Sequence, residues 1–237
     1  MSRTNKTDRP KNPAQKFLDW SAKKCSWVYW DKTKEAEMEI SPKSLAFIVL
    51  DQLNTVKGFD RRVKKGIWSN EVRSTKTDTI TAKWADGLVA EGLWADIKKD
   101  SRLKFVKSVY IAAKINGRYE LCNLQLKGSA MSEWIDFTKA TDVYTDIACG
   151  VTETVKDEVD GKEFYLPKFG VVANSISEEA AKEADSMDKE LQSYLKTYFT
   201  QSNEPVETQE QAPDPLDEVK EQLESVVKDD YEENVPF

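Results

Sequence analysis

The segment Lys57-Gly58-Phe59-Asp60-Arg61-Arg62-Val63-Lys64-Lys65-Gly66-Ile67-Trp68 mixes cations with aromatic rings. That mixture suits a polyanion that also carries flat bases. Lys57, Arg61, Arg62, Lys64 and Lys65 can neutralise phosphates, and Phe59 and Trp68 can stack on bases. Stacking contributes about 1–3 kcal/mol per base and tolerates any sequence. Arg73, Lys76 and Lys83 extend the positive stretch. The competing reading is a solvated hairpin loop with one buried ring. All seven tryptophans lie between residues 20 and 134, more rings than a small core needs. In Trp27-Val28-Tyr29-Trp30, strand alternation puts Trp27 and Tyr29 on one face and Trp30 on the other. Trp27 or Trp30 is therefore a further candidate for stacking.

Catalytic chemistry finds less support. The chain has no histidine, which removes Ser-His-Asp and Cys-His catalysis and any zinc site that needs imidazole. Neither GxxxxGK[ST], GxGxxG nor HExxH occurs. Cys25, Cys122 and Cys149 are odd in number and far apart, so neither a disulfide framework nor a CxxC metal site is indicated. Glu35, Glu37 and Glu39 would line one face of a strand, an arrangement a metal-dependent nuclease could use. Alternating acids on a solvated edge strand are commoner. A non-enzyme without a cofactor is expected.

The formal net charge is −7, but its distribution is uneven. Residues 1–140 hold 27 Lys+Arg against 17 Asp+Glu, whereas residues 141–237 hold 8 against 25. A basic front and an acidic rear suggest a polyanion-binding domain with an acidic appendage. The longest uninterrupted apolar run, Leu45–Leu50, is too short to cross a bilayer. The basic N-terminus lacks the apolar core of a signal peptide. A cytoplasmic protein without membrane contact is expected.

These residues need elements to position them. Residues 1–24 read as a basic flexible arm, with a short helix over Ala14–Lys24 that packs Phe17 and Trp20. Residues 25–173 read as one mostly β domain. Its clearest local signal is Asn116-Gly117, which supplies the two positive φ angles of a type I′ hairpin turn. That turn pairs Val109 with Leu124, Ile111 with Cys122 and Ala113 with Glu120 on the core side. The opposite face then carries Ser108, Tyr110 and Lys114 beside Tyr119, Asn123 and Gln125, a plausible nucleic-acid platform. Ser129–Lys139 reads as a short helix with Met131, Trp134, Ile135 and Phe137 inward. Stretches 143–151 and 162–173 read as closing strands. Short strands with one short helix favour an OB-like small barrel, with a β-sandwich as the alternative.

An amphipathic helix is expected within 174–199, with Ala180, Ala184, Met187, Leu191, Tyr194 or Leu195, and Tyr198 as its stripe. Ser175 and Glu178 fit its capping box. Residues 200–228 read as an acidic linker with a marginal helix on Leu216, Val219, Leu223, Val226 and Val227. From residue 200 onward there are 12 acids against 2 lysines, so a disordered acidic tail is expected. Residues 229–237 then run Asp229-Asp230-Tyr231-Glu232-Glu233-Asn234-Val235-Pro236-Phe237. Acids followed by an apolar pair and a carboxylate suit a partner with a basic rim and an apolar pocket. The same tip could compete with a polyanion for the basic segment.

That tip resembles the C-terminal tip of bacterial and phage single-stranded DNA-binding proteins. The middle of the chain resembles phage-encoded members of that group. The resemblance rests on Phe47-Ile48-Val49-Leu50-Asp51, Thr55-Val56-Lys57-Gly58-Phe59 and Gly66-Ile67-Trp68-Ser69-Asn70-Glu71-Val72. It continues in Leu126-Lys127-Gly128 and Trp134-Ile135-Asp136-Phe137. It spans roughly residues 15–140. It implies an OB-type fold and binding of single-stranded DNA without strong sequence preference during replication or recombination. It also implies recruitment of replication or recombination proteins through Asp229, Asp230, Tyr231, Glu232, Glu233, Val235, Pro236 and Phe237. For a phage-encoded protein the compartment would be the bacterial host cytoplasm. The helix and long acidic insert depart from the simplest bacterial members, so a monomer or homodimer is expected rather than a tetramer. The DNA-contacting set on this reading is Lys57, Phe59, Arg61, Arg62, Lys64, Lys65, Trp68, Arg73, Trp27, Trp30, Tyr110, Lys114 and Tyr119. Alternatives are a strand-annealing or recombination mediator protein, and an adaptor whose basic domain binds an acidic protein.

Overall fold

A computed structural model of the chain describes residues 10–159 and 161–202. The chain is mostly β. Among the described residues, eleven strands form a mixed sheet, with three α-helices and a 3₁₀ turn at Pro42–Ser44. The chain divides into two compact units. Among the described residues, the first takes 10–52 and 107–202, and the second takes 53–106.

In the first unit the strands are β1 (Lys16–Ser21), β2 (Ser26–Asp31), β3 (Ala36–Ile40), the start of β4 (Ala46–Asp60), most of β8 (Leu103–Ile115), β9 (Arg118–Leu126), β10 (Ala148–Val159) and β11 (Lys162–Ala173). Their hydrogen-bonded order is β3-β2-β1-β9-β8-β4, and β10 pairs with both β4 and β11. The β8–β9 hairpin turns on Asn116 (φ 51°) and Gly117 (φ 81°), a backbone that only small or turn-forming residues adopt readily. Its ladder joins Val109 to Leu124, Ile111 to Cys122 and Ala113 to Glu120, the register expected from the turn. Val109, Ile111, Ala113, Cys122 and Leu124 sit in a core that also holds Leu18, Trp27, Phe47 and Trp134.

The expected OB-like barrel does not close. β10 meets β4 over two residue pairs only, Cys149–Phe47 and Gly150–Ala46. A backbone bond from Tyr165 N–H to Ala22 C=O (2.9 Å) joins β11 to the β1–β2 turn, but no ladder follows it.

Residues 16–21, expected inside an arm with a short helix, form β1 instead. β1 runs parallel to β9 and antiparallel to β2. Leu18 and Trp20 are buried, while Phe17 is exposed. That alternation has the period of a strand, and two neighbouring strands satisfy its backbone groups.

Helix α2 (Gly128–Ala140) buries Ala130 and Trp134 and rests Met131 and Phe137 on the core. Ile135, expected inward, is exposed because it lies one step round the helix from Trp134. Helix α3 (Glu178–Ser202) begins at Ser177, whose Oγ accepts the Ala180 N–H at 3.2 Å. Ser177 thus takes the capping place expected for Ser175. Ala180, Ala184, Leu191 and Leu195 are the buried stripe. Among the described residues no helix is long and apolar enough to cross a membrane.

The second unit holds the rest of β4, then β5 (Lys65–Ser69), β6 (Ile80–Trp84), β7 (Gly87–Gly92), helix α1 (Trp94–Ile97) and the start of β8. The order β4-β5-β6-β7 is antiparallel throughout. Val56, Ile67, Val72, Ile80, Ala82, Ile97 and Leu103 form a separate core. Gly58 is required here, because a Cβ at this position would lie 2.0 Å from the Arg102 carbonyl oxygen. Residues 25–173, read from sequence as one domain, therefore contribute to both units.

Candidate nucleic-acid interface

The basic segment lies wholly within the second unit. Residues 53–106 carry 12 Lys+Arg against 7 Asp+Glu. Lys57 and Phe59 stand on β4, and Gly66 and Trp68 on β5. Lys57 pairs with Trp68, and Phe59 pairs with Gly66. Trp68 also pairs with Lys83 on β6, and Lys83 pairs with Leu88 on β7. Directly paired residues share a face. A row Lys57–Trp68–Lys83–Leu88 therefore crosses four strands, on the side away from Val56, Ile67 and Ala82 in the core. Lys57, Phe59, Trp68 and Lys83 are half-buried, and Leu88 is exposed. On β8, Leu103 points into the core, so alternation sets exposed Lys104 on the opposite side.

Arg61, Arg62 and Lys64 form the exposed β4–β5 turn, and Lys65 opens β5. Lys64 has φ 54°, a left-handed conformation that tightens the turn. A nearly inaccessible carboxylate anchors this turn. Asp60 accepts hydrogen bonds from the Arg62 backbone N–H (2.9 Å), from Arg62 Nη2 (3.1 Å) and from Arg102 Nη1 (2.5 Å). Arg102 also donates to Asp100, at 2.6 Å from Nη2, and lies 6.0 Å from the Trp84 ring centroid. Lys65 Nζ meets Asp86 Oδ2 at 2.5 Å. Part of the turn's positive charge is thus matched internally. Arg73 is exposed beyond β5, where its backbone N–H donates to Asp78 at 3.1 Å.

The Arg62 and Arg102 guanidiniums hold the Asp60 carboxyl well below the ordinary carboxylate range. A depressed folded value adds stability that is fully present above the unfolded value of about 3.9 and is lost as pH falls toward the folded one. Wild-type urea midpoints should therefore fall more steeply below about pH 4 than those of Asp60→Asn. Parallel profiles for the two proteins would contradict this assignment.

The other expected contacts belong to the first unit. Trp27 is fully buried, edge-to-face with Trp20 at 5.3 Å, so its ring has no face for a base. Trp30 is half-buried on the other side of β2. The expected platform on β8–β9 is covered by α3. Ala180, Ala184 and Met187 pack there with Ile48, Leu50, Ala112 and Tyr119. Ser108, Tyr110, Asn123 and Gln125 on the same face are buried. The Tyr110 hydroxyl accepts from Asn12 Nδ2 at 2.7 Å, and Asn123 Nδ2 donates to Ser108 Oγ at 2.6 Å. Tyr110 is therefore a core residue as placed. Lys114 stays exposed, 5.0 Å from the Tyr119 ring centroid and 3.9 Å from Glu179 Oε1. The residues expected to bind partners, Asp229–Phe237, lie outside the described residues.

No family model, curated protein or solved structure matches this chain. Burial pushes the Cys122 thiol up to about 12 and the Cys149 thiol up to about 11, so neither is poised as a nucleophile. Glu37 and Glu39 both accept from Lys24 Nζ, at 2.6 and 3.0 Å, and form a surface ion-pair cluster. Among the described residues, no group of three or more acids or cysteines is placed to hold a metal.

The sequence alone marks Lys83 only as part of the positive stretch and does not single out Lys104 or Asp60. Alternation in Thr79–Trp84 gives the side on which Lys83 lies. Its register with Trp68 depends on the long connection between β5 and β6, which carries no such signal.

Proposed function

We propose that this protein binds single-stranded nucleic acid, DNA on the sequence resemblance, through the Lys57–Trp68–Lys83 face of its second unit. The observation that carries this reading is the register. One indole is bracketed on both neighbouring strands by a lysine on the same face. Stacking on the ring is indifferent to base identity, and lysines beside it meet the phosphates that flank a stacked base. Arg61 and Lys64 on the adjacent turn, with Lys104, supply further positive charge along the path. Binding is therefore strand-selective, weakly dependent on sequence and strongly dependent on salt. No catalytic step or cofactor is part of the proposal. On sequence grounds alone, it keeps the acidic segment 229–237 as the partner-recruiting element.

The double substitution Lys57→Ala/Lys83→Ala tests it. Each lost phosphate contact should lower the slope of log affinity against log salt by about 0.7 for a single strand, so by about 1.4 for the pair. Titrations with an oligo-dT at four salt concentrations measure this. A slope equal to wild type would show that these lysines do not meet phosphate.

A further inference from the structure

The position facing Phe59 across the β4–β5 ladder is a glycine, Gly66. Cross-strand pairing puts Phe59 and the Gly66 site on one face, and Trp68 stands two residues further along β5 on the same face. Phe59 and Trp68 are thus diagonal neighbours, and nothing projects from the backbone at Gly66. Diagonal residues of an antiparallel pair stand roughly 7–8 Å apart. A flat base touches a ring at roughly 3.5–4.0 Å on each side, so aromatic side chains standing out from two such backbone positions have the reach to clasp one base. Gly66 has no positive φ, so its backbone does not require glycine. β-Branched residues suit strands far better than glycine does. What glycine supplies here is the absence of a side chain.

We propose that Phe59, Gly66 and Trp68 form a slot for a single nucleobase. The base rests edge-on over the Gly66 backbone between the two rings, and Lys57 lies beside it to receive a phosphate. This inference rests on the single-strand reading above. It adds a defined ligand group, a nucleobase of any identity, and gives Gly66 and Phe59 their functions. It also implies that binding has a base-dependent part separable from the charge-dependent part.

Gly66→Val fills the slot and removes no charge. Its fold is checked by circular dichroism and by its urea midpoint. With an oligo-dT it should bind about tenfold or more weakly than wild type, at an unchanged salt slope. With an abasic oligonucleotide of equal length, the two proteins should bind alike. If Gly66→Val does not fold, Phe59→Leu keeps apolar bulk, removes one wall and should behave the same way. Wild-type affinity for oligo-dT in the folded variant would overturn the slot. So would an equal loss on the abasic strand. If wild type binds neither oligonucleotide, the single-strand reading itself falls.

Discussion

Trp68→Ala is expected to weaken binding to an oligo-dT by about 1–3 kcal/mol, the range measured for loss of one stacking ring. That is roughly 5- to 150-fold. The salt slope should not change, because no cation is lost. Trp68 pairs with Lys57 on one side and Lys83 on the other, so a base on the indole has a cation at both flanks. Truncation leaves both cations in place and removes only the platform. Isothermal titration of wild type and variant at matched salt measures the difference. Equal affinities would move the stacking function away from β5, and a parallel loss of slope would mean that the variant had disturbed the neighbouring lysines.

The largest effect on stability is expected at Trp134. Its ring is fully buried on α2, edge-to-face with Phe169 at 5.0 Å, with Phe137 and Phe47 at 5.6 and 6.1 Å. Its Nε1–H donates to Gln52 Oε1 at 3.0 Å. Trp134→Ala removes the transfer free energy of a large ring, opens a cavity among aromatic side chains and takes the donor from Gln52. A loss of about 3–5 kcal/mol is expected by urea unfolding. Ile135→Ala, one residue along and exposed, should stay within about 0.5 kcal/mol. Similar losses for both variants would mean that α2 does not present Trp134 to the core as described.

What the sequence made legible was local. Asn116-Gly117 fixed the β8–β9 register residue by residue, because a two-residue turn leaves the ladder no freedom. The stripe of α3 was readable from its spacing, and Leu195 rather than Tyr194 proved to be the buried member. Trp20 shows the limit. Phe17 and Trp20 fit a helical spacing, but Leu18 and Trp20 fit a strand, and the edge offered by β9 decided between them. The face of Ser108, Tyr110, Asn123 and Gln125 shows another. Alternation identified it as opposite the core, yet no local pattern says that a helix some 60 residues later in sequence covers it. The site was legible in part. The basic and aromatic composition of 57–68 was plain, but its meaning depends on Lys83, which a connection without a register signal brings beside Trp68.

The most direct measurement is a titration of intrinsic tryptophan fluorescence with an oligo-dT at low and high salt, beside a duplex of equal length. Strong quenching by the single strand, little response to the duplex and affinity that falls with salt is the predicted result. No response to the single strand at low salt, or equal binding of the duplex, would contradict the account.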